Sequence, residues 1–244
     1  MRIILPLVLS LCLLWSCENT TEAPIPFGYE YFPLQTGNSW TYQVDSTVFD
    51  TTGMGRVVTE SSSQIREQIV DQFISNEGNE VFRIERSWRR DDSEAWTTTD
   101  VWTAERTENR AFKTEENLRY IKMVFPLSEN EVWDGLRFID KTQKITVAGE
   151  TLELFKNWQH QLISIGLREQ IGPFTFEEVS TVSEADSENL IELRFAREKY
   201  AKAVGLVYKE MRILDTQNIN DQLSWEDKAQ KGFILRQTLI DFSN

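Results

Sequence analysis

From Trp40 onward, apolar positions recur mostly every second residue, the period of a strand with one buried face. Residues 39–45 set Trp40, Tyr42 and Val44 against Thr41, Gln43 and Asp45. Residues 50–55 then read as a hairpin loop, and residues 57–74 as one long or bent strand. Asn76, Gly78 and Asn79 mark its turn. Residues 81–89 follow, with Phe82, Ile84 and Trp88 on one face and Val81, Arg83 and Glu85 on the other. A polar loop at 91–94 leads into residues 95–104, which carry Trp96 and Trp102 among threonines, and residues 118–125 form a further strand. Consecutive strands joined by short polar turns predict a meander.

The second half is less regular. Residues 144–147 and 151–154 flank Ala148, Gly149 and Glu150 as a hairpin. Residues 155–167 fit either strand or helix. Gly172 and Pro173 break the chain before an alternating run that begins at Phe174. Residues 186–189 have the composition of a cap for a following element. Residues 194–204, rich in Ala, Lys, Arg and Glu and stopped by Gly205, predict a helix. Residues 206–214 predict a strand, and the alternation over 233–242 predicts one that closes the sheet. The fold class expected is mainly β with an α+β character: a curved antiparallel sheet or open barrel with one or two helices.

One spelling occurs twice. Phe32-Pro33-Leu34 precedes Trp40, and Phe125-Pro126-Leu127 precedes Trp133, each tryptophan eight residues after its phenylalanine. Pro33 and Pro126 cannot donate to a sheet ladder, so each marks a strand edge or entry. Two readings follow: strand-entry corners plugged by tryptophan, or aromatic walls of a pocket.

The N-terminus changes the picture. Arg2 precedes a run over residues 3–15 that is apolar except for Pro6 and Ser10. That is too short for a spanning helix, which needs about 20 residues, and it has the layout of a secretory signal. Residues 18–26 are polar and contain prolines, the composition of an extended tether. The expected organisation is a signal peptide at 1–16, a cysteine and tether at 17–26, and a single β-rich domain at 27–244. The formal net charge is −13; removing the leader deletes only Arg2 and leaves 25 basic against 39 acidic residues. Such a surface repels phosphate backbones, and no nucleic-acid partner is expected.

Leu14-Trp15-Ser16-Cys17 resembles the bacterial lipobox, although Trp15 is bulkier than the usual residue there. The resemblance implies cleavage before Cys17 and acylation of that cysteine, hence anchoring to a membrane of the bacterial envelope, with the outer membrane expected. Several acyl chains on one residue anchor stably where one chain does not. Cys12 would leave with the leader, so the mature chain would carry no free thiol. This excludes cysteine nucleophiles, thiolate zinc sites and iron–sulfur clusters. Tyr31-Phe32-Pro33-Leu34 with Trp40, Phe125-Pro126-Leu127 with Trp133, and Val204-Gly205-Leu206-Val207 are similar to envelope lipoproteins common in Bacteroidota. Those proteins resemble lipoprotein-carrier folds, in which a curved sheet holds an apolar cavity. The likeness brings no activity with it.

Little in the chain points to chemistry. His160 is the only histidine, and no nucleophile elbow, phosphate loop or dinucleotide fingerprint occurs. His160 reads as a surface or strand residue. Residues 215–221 approach a calcium loop, but Ile219 and Asn220 occupy positions that need a ligand and a glycine. No metal and no cofactor is expected. Trp40, Trp88, Trp96, Trp102 and Trp133 are candidate ligand-binding residues, with core filling as the simpler reading. The function expected is a non-enzymatic, membrane-anchored envelope lipoprotein that binds an apolar or amphipathic ligand; the rival is an assembly lipoprotein acting through protein partners.

Overall fold

The structure is a computed structural model and describes residues 27–52 and 55–244. The signal peptide, Cys17 and the tether lie outside the described residues. A single 3-10 turn at Tyr29–Tyr31 opens the described chain. Six strands follow as a meander: β1 (Ser39–Thr52), β2 (Gly55–Ile74), β3 (Glu80–Arg89), β4 (Thr97–Arg106), β5 (Arg110–Glu115) and β6 (Leu118–Val124). A two-residue β7 (Val132–Trp133) and a small hairpin of β8 (Lys144–Val147) and β9 (Glu150–Glu153) separate this from a second group. That group comprises β10 (Trp158–Ile171), β11 (Phe174–Glu188), β12 (Glu192–Ala201), β13 (Gly205–Asp215), a one-turn helix α1 (Trp225–Lys228) and β14 (Lys231–Ser243).

Twelve strands make one antiparallel sheet in the order β6-β5-β4-β3-β2-β1-β14-β13-β12-β11-β10-β7, with β8 and β9 paired apart from it. β14 does not sit at an edge. It pairs with both β1 and β13 and so joins the two meanders in mid-sheet. Closure happens elsewhere, at the chain just after the second Phe-Pro-Leu. β7 pairs with β10 through Trp133 opposite His160. From the same segment, Gly135 O accepts Ile121 N of β6 at 2.9 Å, and Trp133 Nε1 donates to Ile121 O at 2.9 Å. A strap of a few residues, β7 included, thus bridges β6 and β10, and the sheet becomes a nearly closed barrel. The expected fold class holds.

The helix expected over 194–204 is a strand. Residues 192–201 form β12, hydrogen-bonded on both sides to β11 and β13, and the chain then turns at Ala203 (φ 62°). Arg194, Ala196, Glu198 and Tyr200 are buried while the residues between them are half-buried, a period of two. Helix propensity differs by well under 1 kcal/mol per residue among ordinary residues, so two flanking ladders override it. The undecided stretch at 155–167 enters strand β10, and residues 186–188 end β11 without capping a helix. β5 had no counterpart in the sequence reading.

Both ends of the barrel are covered. Residues 27–38 cross one end. Arg106 Nη1 donates to Tyr29 O and Phe32 O at 3.1 Å, Ala203 N donates to Glu30 O at 2.8 Å, and Gly37 N donates to Ile69 O at 2.9 Å. The segment is therefore fastened to β2, to the end of β4 and to the β12–β13 turn. At the opposite end Leu136, Ile139 and Phe155 form a separate apolar cluster with Tyr120 and Trp158. Outside the wall, α1 sets Trp225 and Ala229 against Phe49, Leu193, Leu214 and Ile234.

Candidate functional site

The barrel interior holds the densest chemistry. Three lysines and four glutamates project into it from six strands. Lys122 of β6 donates to Glu184 of β11 at 3.0 Å and to Glu198 of β12 at 2.8 Å. Lys113 of β5 donates to Glu67 of β2 at 2.8 Å and stands 3.5 Å from Glu115. Lys209 of β13 lies 3.2 Å from Glu198 and 3.6 Å from Glu115. β5 and β13 stand far apart in both directions around the closed barrel, so the Glu115–Lys209 contact is a chord across the lumen.

At Glu115, Glu184, Glu198, Lys122 and Lys209 burial opposes the charge, and the neighbours outweigh it. Burial alone would raise the Glu115 carboxyl; Lys209, Lys122 and Lys113 hold it down at about 2. Glu184 and Glu198 are likewise lowered against desolvation, chiefly by Lys122, with Glu184 itself opposing the shift at Glu198. Lys122 is raised well above its ordinary value because Glu184, Glu198 and Glu115 outweigh its burial. Desolvation pushes the Tyr42 and Tyr200 phenols well up. The Tyr200 hydroxyl donates to Glu198, and Tyr42 donates to Leu206 O at 3.0 Å.

A cavity of about 50 Å³ lies between this cluster and the covering segment, floored by Glu67, Lys113, Glu115, Lys122 and Glu198 and roofed by Phe32, Pro33 and Leu34. A water needs about 10–15 Å³ by this measure, so the space suits a few waters. A pocket for a drug-sized ligand spans about 300–1,000 Å³.

The predicted tryptophans scatter. Trp40 lines the cavity and donates Nε1 to Val204 O at 2.6 Å. Trp102 packs against the same core with the Arg86 and Lys113 charges each 4.8 Å from its ring. Trp96 lies between Arg66 at 4.9 Å and Arg89 at 4.3 Å, ahead of β4. Trp88 is 38% exposed on β3. Trp133 serves the seam. The structure does not bring the five together.

His160 is a strand residue, 1% exposed, at the seam. Trp133 and Trp158 flank its ring at 5.7 and 6.1 Å, and Nε2 lies 3.4 Å from Glu184 Oε1. A Cβ on Gly135 would sit 2.4 Å from the ring, so only glycine lets the strap approach β10 here. The loop at 215–221 is organised by its own side chains: Asn218 and Asn220 accept from Asn220 N and Gln222 N, and Asp215 pairs with Arg194 at 2.7 Å. Among the described residues no group of three or more His, Cys, Asp or Glu is placed to hold a metal.

The ionic residues escaped the sequence reading, although a signal existed. Glu67 stands between Ile65 and Ile69, and Glu198 between Ala196 and Tyr200, each a charge at the buried phase of an alternating strand.

No protein-family model and no curated protein matches the sequence. Among solved structures, it is similar to that of a predicted lipoprotein from Parabacteroides distasonis ATCC 8503, at 11% identity over 87% of this chain and 98% of that one, with a TM-score of 0.41. It is also similar to a predicted exported protein with a YmcC-like fold from Bacteroides fragilis NCTC 9343, at 9% identity over 87% of this chain and 98% of that one, with a TM-score of 0.40. Likeness at this level carries no function from those proteins to this one.

Proposed function

We propose that this chain is a non-enzymatic envelope lipoprotein, held to a membrane by an acylated Cys17, that acts on protein partners through the outer surface of its barrel. The carrying observation is the interior: about 50 Å³ of space above a floor of paired charges, far less than a drug-sized ligand fills. This favours surface action over an enclosed apolar ligand. The non-enzymatic reading draws support from the converging carboxylates. An acid catalyst in such a site needs a raised pKa; Glu115, Glu184 and Glu198 are all lowered. The anchor rests on Leu14-Trp15-Ser16-Cys17.

Two measurements test the reading. Cys17→Ala should move the protein from the membrane to the soluble fraction; unchanged retention removes the anchor. Native mass spectrometry of that soluble variant should give the bare chain mass. A stoichiometric lipid bound to it would return the lumen to ligand binding.

A further inference from the structure

Beyond the lumen, the outer wall carries a second concavity. The β10–β11 hairpin overhangs β12, whose pairing with β11 begins only at Val179 opposite Ala201. Its tip folds across to β14: a Cβ on Gly172 (φ 56°) would meet Leu239 O at 2.7 Å. Between the hairpin and the wall lies a groove of about 360 Å³, within the size range of ligand sites. Arg197 and Lys199 of β12 and Tyr208 and Glu210 of β13 line the wall side, and Glu169 lines the hairpin side. Arg197 and Lys199 alternate with the inward Glu198 and so face outward.

The charges in this groove are unevenly matched. Lys199 bonds Glu169. Glu210 Oε1 accepts Arg212 Nε at 2.8 Å and Arg236 Nε at 3.1 Å, while its Oε2 accepts the Tyr208 hydroxyl at 3.0 Å. Both carboxylates are thus engaged. Arg197 stands directly opposite Glu210 in the β12–β13 register, yet Glu210 is turned to others. Among the described residues the Arg197 guanidinium has neither a salt bridge nor a hydrogen bond, and its Nε is buried without a partner. Its nearest ring is Phe195, at 4.9 Å. A half-buried guanidinium without an acceptor is costly, because water cannot fully replace the missing partner.

We infer that this groove binds a small oxyanion, a phosphate or a carboxylate, on the Arg197 guanidinium, with Lys199 flanking it. A planar guanidinium matches two oxygens of such a group at once, which an ammonium cannot do. The site stands apart from the lumen and does not depend on the lipid anchor.

The test is a titration of the full chain with inorganic phosphate and, separately, succinate, against chloride at matched ionic strength. The readouts are the Arg197 Nε–Hε NMR resonance, assigned by its loss in Arg197→Gln, and the thermal midpoint. A saturable shift of that resonance and a raised midpoint are expected for phosphate or succinate but not chloride. Loss of one bidentate charge-assisted contact should weaken binding at least about tenfold in Arg197→Gln, with Arg197→Lys intermediate. Gly172→Ala, which must displace the hairpin, should also weaken it and covers the case in which Arg197→Gln fails to fold. An equal response to chloride, an undiminished response in the variants, or no saturable shift overturns the inference.

Discussion

Two ion pairs in this molecule have almost the same geometry and opposite surroundings. Lys122 and Glu198 meet at 2.8 Å with side chains 3% and 1% exposed. Arg83 and Asp71 meet at 2.6 Å with side chains 46% and 48% exposed. Both join different strands. The first pair has lost its hydration, so its partners carry the whole cost of keeping each charge inside. The second keeps nearly half of each side chain in water and gains little from its partner. Separation alone therefore says nothing about what a pair contributes. The barrel is built on this distinction: its lumen is a set of mutually dependent charges, and its wall carries replaceable ones.

The strongest test of that contrast removes one buried partner. Lys122→Ala strands Glu184 and Glu198 next to each other and should cost about 3–5 kcal/mol, read as a lower urea midpoint with an unchanged slope. Replacing the set together, Lys122→Met with Glu184→Gln and Glu198→Gln, should recover most of that loss. If the triple variant is no better than the single one, interdependence is not the organising principle of the lumen.

Acid probes the same cluster without mutation. Glu115, Glu184 and Glu198 have folded-state pKa values below the ordinary 4.5. Their contribution is full above about pH 4.5, where both folded and unfolded chains are ionised. It drains away as pH falls through the folded values, with Glu115 losing its share toward about pH 2. For Glu115 alone the linkage is worth up to about 3 kcal/mol. Unfolding free energy should thus fall steeply below pH 4.5 in the wild-type chain and more gently in Glu115→Gln. Parallel acid limbs for the two would remove Glu115 from the cluster's energetics.

How much of this the sequence reveals depends on the range of the interaction. Alternation from Trp40 onward reports each strand's own two faces, so the first meander is legible residue by residue. β12 is not, because residues 194–204 have the composition of a helix and become a strand only between β11 and β13. The two Phe-Pro-Leu elements are visible as a pair, but their roles are not. The first leads Trp40 into mid-sheet β1, while the second leads Trp133 into the strap that closes the seam. The lumen is the least legible part, since Glu67 and Lys209 belong to one network only after closure brings opposite walls together. Arg197 is hidden for a related reason: its register partner Glu210 is taken up by Arg212 and Arg236.

The smallest expected effect completes the contrast. Asp71 and Arg83 are neighbours across β2 and β3, and their pair is nearly half exposed. Arg83→Ala leaves Asp71 free to regain water, so the cost should be about 0–1 kcal/mol and should shrink further as salt screens the pair. Asp71 Oδ1 is buried without a partner, so this carboxylate rehydrates through its other oxygen. Urea unfolding of Arg83→Ala at low and high salt measures both effects. A loss of a few tenths of a kcal/mol that vanishes in salt fits a solvated pair. A salt-independent loss as large as that of Lys122→Ala would mean that Asp71 is held as tightly as the lumen carboxylates, and that exposure does not divide the ion pairs of this barrel into two kinds.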